Sequence, residues 1–200
     1  AYTERITQCK NEIHNILQRA NIKLTSYLSD IYGVTGMSLL EMFIDGEVIT
    51  EQSLLPKIHR KVKATAAELV EAMDGKLSFE DRFLLGQSLE HYRHLVNQIE
   101  EITVVIKQYV LERFEREYNL LIELPGVSAI VACVILSEIG PNVEAFQSQG
   151  NLASWAGVCP GSYESAGIKK SSHTTQGNKY LKSSLFQAGG IAGRSKDEAF

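Results

Sequence analysis

From Leu85 onward the apolar residues of this chain recur in steps of four and three: Leu85, Leu89, Tyr92, Val96, Ile99, Ile106 and Val110, with polar Thr103 standing in the series between Ile99 and Ile106. A heptad repeat of this kind specifies an α-helix with one narrow apolar seam. Ser78, with Asp81 three residues later, supplies an N-cap pattern at its start. A helix over 78–123 would span roughly 65–70 Å at about 1.5 Å per residue, more than one small core can cover. The seam therefore needs a partner, either the N-terminal helix folded back or a second copy of the chain in a homo-oligomer.

The remaining periodicities are also helical. Ile6, Cys9, Ile13, Ile16, Leu17 and Ala20 are spaced for a helix within 2–30, ended or bent by Gly33 and Gly36. A short helical piece over 38–44 stops at Asp45-Gly46, and 54–73 reads as a further helix closed by Asp74-Gly75. After Glu123, Leu124-Pro125-Gly126-Val127 interrupts the helical pattern, and an almost wholly apolar helix follows over 128–139. This is a helix-hairpin-helix pattern. A glycine turn there exposes N–H groups at a helix start, where the partial positive charge favours a phosphate oxygen. Gly126 and Ser128 are thus candidate DNA contacts, although Ser128 stands where a second glycine is usual and a purely structural connection fits the same residues. Further helices are expected over 151–156 and 178–193, with Trp155 read as a core residue. The fold class is mainly α: a helical segment over 1–77, the long coiled-coil helix over 78–123, and a C-terminal domain over 124–200.

Between the last two helical patterns lies GVCPGSYESAGIKKSSHTTQGNKYL, residues 157–181. Glycine, serine and lysine are the ordinary residues of a solvated turn. They are also what phosphodiester chemistry uses: small residues that let backbone approach a phosphate, hydroxyl nucleophiles at Ser162, Ser165, Ser171 and Ser172, and cations at Lys169, Lys170, Lys179 and Lys182. The charge distribution sharpens the second reading. The chain carries a net −4, yet residues 161–200 hold six Lys or Arg against three acids, a local +3 that leaves −7 on residues 1–160. A basic end on an acidic body can hold a polyanion, because phosphate contact depends on local cations.

Other chemistries find little footing. Cys9, Cys133 and Cys159 are an odd, widely spaced set without CxxC, which suggests neither a disulfide framework nor zinc and points to a reducing cytoplasm. His91 and His94 are three apart on the long helix, which reads as a solvated face, and the acids are scattered, so no metal site is expected in this segment. No apolar run reaches the roughly 18 residues of a membrane span, so no membrane partner is expected.

Three stretches together carry a family resemblance: ANIKLTSYLSDIYGVTGMSLLEMFIDGE at 20–47, LPGVSAIVACVILSEIGPNVEAF at 124–146, and NLASWAGVCPGSYESAGIKKSSHTTQGNKYLKSSL at 151–185. In these the chain resembles insertion-sequence transposases of the IS-110 family, relatives of the Piv-type DNA invertases. The resemblance implies a fragment of a longer protein whose N-terminal RuvC-like domain binds Mg2+ through an acidic tetrad, followed by a coiled coil and a C-terminal transposase domain. It implies that Ser165 is the nucleophile attacking a DNA phosphodiester, that Lys169, Lys170, Lys179 and Lys182 contact phosphate, and that Gly177-Asn178 shape the turn before the last helix. DNA is the implied partner. Some family members are guided by a structured RNA, so a guide RNA is an admissible second one. Relatives often carry basic residues after the Ser-Ala-Gly where this chain has Ile168, His173 and Gln176, which implies weaker duplex binding. The alternative is a non-catalytic module that dimerises and positions nucleic acid.

Overall fold

The computed structural model describes residues 2–159 and 173–194 in full and residues 163–165 and 168–171 by backbone alone. The elements are α1 (Tyr2–Arg19), α2 (Leu24–Tyr27), α3 (Val34–Asp45), α4 (Glu51–Leu54), α5 (Ala66–Ala72), α6 (Phe79–Ile122), α7 (Ala129–Ile139), α8 (Gln149–Ala156), β1 (Tyr163–Ser165), β2 (Ile168–Ser171) and α9 (Lys179–Ala192). The chain divides into two units, 1–100 and 101–200, with the boundary inside α6. No helix among the described residues is long and apolar enough to cross a membrane.

In the first unit, the amphipathic face of α1 buries Ile13, Ile16 and Leu17 against Leu39, Leu40, Met42 and Phe43 of α3, Leu69 of α5, and Leu85 and Leu89 of α6. Burying side chains of this size contributes about 1.5–3 kcal/mol each before entropy is counted. The start of α6 is the N-cap expected, the Asp81 N–H donating to Ser78 Oγ at 3.0 Å. The seam question receives a local answer here: Leu85 and Leu89 join the core containing α1, and Tyr92 packs against it with its ring 4.9 Å from that of Tyr32. One turn on, Leu95 is buried while Val96 is only half-buried. The same chain therefore covers the first part of the seam.

Two expected helices are divided, each for a visible reason. The 2–30 helix ends at Arg19 because Asn21 takes a left-handed conformation (φ 58°) and the Ile22 N–H turns back to the Leu17 carbonyl, a helix-ending motif. Gly33 caps the start of α3 rather than ending α1. The 54–73 helix is replaced by two pieces, each opened by its own capping box, Thr50/Ser53 and Thr65/Glu68. Between them Pro56 sits in a 3-10 turn over Leu55–Lys57. The Thr65 N–H bonded to Glu68 holds that carboxyl below the usual carboxylate range.

The second unit has its own core of Val110, Tyr118, Ala132, Cys133 and Leu136, with Phe114, Leu121 and Val127 packed against it. At Phe114 (φ −140°, ψ 35°) α6 leaves helical conformation, so the long helix is kinked rather than continuous to its end. Burial raises the thiol pKa values of both Cys9 and Cys133, which keeps them protonated and poor nucleophiles. Ile102, Val105, Ile106 and Tyr109, spaced along one face of α6, are exposed. Truncating Leu85, fully buried in the first core, to alanine should lower the stability of that unit by about 2–5 kcal/mol, read as an earlier transition in chemical denaturation.

Candidate functional site

The expected loop between α8 and α9 contains an antiparallel two-stranded hairpin. Its register pairs Ser165 with Ile168, Glu164 with Lys169 and Tyr163 with Ser171, with an irregularity between Tyr163 and Glu164. Ser165 therefore closes β1 at the inner end of the ladder, and Lys169 and Lys170 lie on β2. The side chains of Ser165, Lys169, Lys170 and Ser171 lie outside the described residues, as do Ser162 and Ser172 altogether.

The two ends of this segment are tied together at its base. The Thr175 N–H donates to the Cys159 carbonyl and the Asn178 N–H to the Trp155 carbonyl, both at 3.1 Å. Gly157, at φ +73°, lies so close to Gly177 that a Cβ on either would come within 2.3–2.8 Å of the other's backbone nitrogen. Only two glycines allow the strands of chain to pass this closely. Asn178 then caps α9, its Oδ1 accepting from the N–H groups of Tyr180 and Leu181 at 3.0 Å, while its Nδ2 donates to Glu138 on α7. The expectation that Gly177 and Asn178 shape the start of the last helix is met in these contacts.

The two described lysines sit on the first turn of α9. The Lys182 Nζ donates to the Thr175 carbonyl at 2.8 Å, and the Lys179 Nζ lies 4.8 Å from the centre of the exposed Tyr180 ring. Thr175 Oγ1 beside them is buried without a hydrogen-bond partner among the described residues. The hairpin and the start of α9 thus bring Ser165, Lys169 and Lys170 onto one short segment of backbone whose downstream end carries Lys179 and Lys182.

Gly126 and Ser128 are explained by packing. Gly126 has φ +81°, and a Cβ there would meet the Ala188 carbonyl oxygen at 2.2 Å, so the turn before α7 lies directly against the α9 backbone. The Val127 N–H is taken by the Leu124 carbonyl and the Val131 N–H by Ser128 Oγ at 3.3 Å. Trp155 departs from expectation: it is 41% exposed and makes a tilted ring contact with Phe146 at 5.4 Å. A helix of eight residues has little room to bury so large a side chain, and its backbone carbonyl is the part the fold uses. His91 and His94 are exposed, as a solvated face requires. Among the described residues no three His, Cys, Asp or Glu side chains converge on a point that would hold a metal ion.

In comparison with known families, residues 118–200 fit the model described as Transposase IS116/IS110/IS902 family. No curated protein and no solved structure matches the chain. Two substitutions test the architecture of the site. Asn178→Ala should cost about 0.5–2 kcal/mol through the lost cap, and Gly126→Ala about 1–3 kcal/mol through its positive φ, with the Ala188 contact adding to it. Both should appear as an earlier unfolding transition of the second unit, while Ser183→Ala, on the exposed side of α9, should leave it in place.

Proposed function

We propose, from the match of residues 118–200 to the model described as Transposase IS116/IS110/IS902 family, that the β1–β2 hairpin presents Ser165 as the nucleophile of DNA strand cleavage and transfer. The observation that supports it most directly is the register that pairs Ser165 with Ile168 on a hairpin whose ends are clamped at Gly157 and Gly177. In the proposed step the Ser165 oxygen bonds to phosphorus, the bond from phosphorus to the departing strand oxygen breaks, and the proton lost by the serine is balanced by one taken up by that strand's new hydroxyl. A hydroxyl is a weak nucleophile, and the negative charge that develops on the phosphate needs cations around it. Lys169, Lys170, Lys179 and Lys182 are the groups proposed to supply them. Gly126 and Ser128 have packing and capping roles that account for them, so the reading rests on the lysines.

On the family's pattern magnesium is held by the RuvC-like domain rather than by this segment, and the chain alone is inactive in strand transfer. Its duplex binding is weak, because each missing phosphate contact removes about 0.9 from the log–log salt slope. A submicromolar dissociation constant for this chain on duplex DNA at about 0.15 M salt would contradict that. In the full-length protein Ser165→Ala should abolish strand transfer and the DNA-linked protein band on a denaturing gel while leaving complex assembly intact. Unchanged strand transfer would leave the non-catalytic positioning module as the better description.

The exposed face of Ile102, Val105, Ile106 and Tyr109 supports self-association through α6. It borders an apolar groove of about 320 Å³ whose other wall includes Ile130 and Val134 of α7. Light scattering should give a mass above the monomer, and Ile106→Glu should return it to the monomer mass. A monomer at every concentration tested would mean that the chain does not associate through this face.

A further inference from the structure

The irregular segment between α4 and α5 holds a run of charge separate from the hairpin. From Gln52 to Ala67 there is no acid, and Lys57, Arg60, Lys61 and Lys63 fall within that interval. Lys57 is ion-paired with Glu47 at 3.9 Å, whereas Arg60, Lys61 and Lys63 are exposed and have no ion-pair partner among the described residues. Their backbone is anchored from beneath. Ile58, Val62 and Ala64 pack against the first core, so the segment alternates between inward apolar and outward cationic side chains. The His59 N–H donates to Thr35 Oγ1 at 2.8 Å, and the Val62 N–H closes a turn on the His59 carbonyl at 2.8 Å. Thr35 is itself almost wholly buried, at 4% exposure.

Beside this edge lies a cleft of about 410 Å³ lined by Tyr27, Asp30, Thr35, His59, Lys61 and Lys63. Asp30 is the acid among them, and its Oδ1 already accepts from the Tyr32 N–H at 2.9 Å. Three unpaired cations held together on an otherwise acidic body repel one another, and a polyanion lying across them relieves that repulsion. A pinned backbone also reduces the ordering cost of binding.

We propose that Arg60, Lys61 and Lys63 form a second nucleic-acid contact, a backbone-reading surface in the first unit that takes the phosphodiester strand of a duplex. Such contacts position a duplex without reading its sequence. The choice of a nucleic-acid strand over an anionic membrane rests on the match of residues 118–200 to a transposase family model. It does not rest on Ser165 chemistry.

The test combines lysine footprinting with salt titration on this chain. Amine-reactive labelling followed by mass spectrometry should show Lys61 and Lys63 protected by a duplex of about 20 base pairs at low salt. Protection by duplex DNA alone assigns the surface to DNA, protection by duplex RNA alone assigns it to RNA, and protection by both assigns a surface that reads backbone without regard to sugar. Protection by phosphatidylserine vesicles alone, or by nothing, overturns the proposal. The triple variant Arg60→Ala, Lys61→Ala, Lys63→Ala should lower the log–log salt slope for duplex DNA or RNA, whichever protects, by about 2–3, at roughly 0.9 per lost DNA contact. The Lys179→Ala, Lys182→Ala variant should lower it separately. An unchanged slope for the folded triple variant, its circular dichroism matching the parent, overturns the proposal. Failure of Ser165→Ala to abolish strand transfer bears on the hairpin alone, so the two readings fail independently.

Discussion

Asn178 holds the second unit together at one point. Its backbone N–H binds the end of α8 at Trp155, its side-chain oxygen caps α9, and its side-chain nitrogen reaches Glu138 on α7. Three helices too short to be stable in isolation therefore share one polar residue. The arrangement explains how a segment with a small apolar core keeps a defined geometry where its chemistry is expected. A cap satisfies N–H groups that water would otherwise have to reach, and the bond to Glu138 sets which side of α7 the start of α9 meets. Gly126 completes the fit from the other end of α7, because its missing side chain lets the α9 backbone come against the turn.

The hairpin depends on that framework. A two-stranded hairpin alone is marginally stable in water, and a slip of one residue in its register would send every side chain to the opposite face. The irregularity between Tyr163 and Glu164 marks a local break in the ladder, and the contacts at Cys159, Thr175 and the two glycines shorten the loop that must close. Loop-closure cost grows with length, so fixing the base lowers the cost of holding Ser165 at one place in the ladder.

Elements with a strong local signal were legible in the sequence. The cap at Ser78 follows from short-range chemistry, and the helices expected over 128–139 and from 178 appear close to those bounds. The misses have long-range causes. Nothing in the 2–30 periodicity announces that Asn21 will turn left-handed, because the core formed by distant α3 and α5 residues selects that conformation. The seam could not reveal its partner, since Leu85 and Leu89 carry the same spacing whether α1 or another copy covers them. The hairpin was hidden because Tyr163–Ser171 lacks a clean two-residue alternation. The basic run at 57–63 did have a signal, the absence of acids from Gln52 to Ala67, but it lay inside what read as a helix over 54–73.

The lysines at the start of α9 show how folding and binding share a cost. Immobilising a lysine side chain takes up to about 2 kcal/mol of rotamer entropy, which a free surface lysine loses when it meets a phosphate. Lys182 has already lost much of it, held at the Thr175 carbonyl with one of three donors engaged. In the proposed phosphate contact its two remaining donors would meet the anion without that loss. Asn178 takes up N–H groups of the first turn of α9, so the helix end offers an anion its dipole more than its donors. For the phosphate contact proposed above, the cations rather than backbone amides would then be the main source of affinity in this part of the chain.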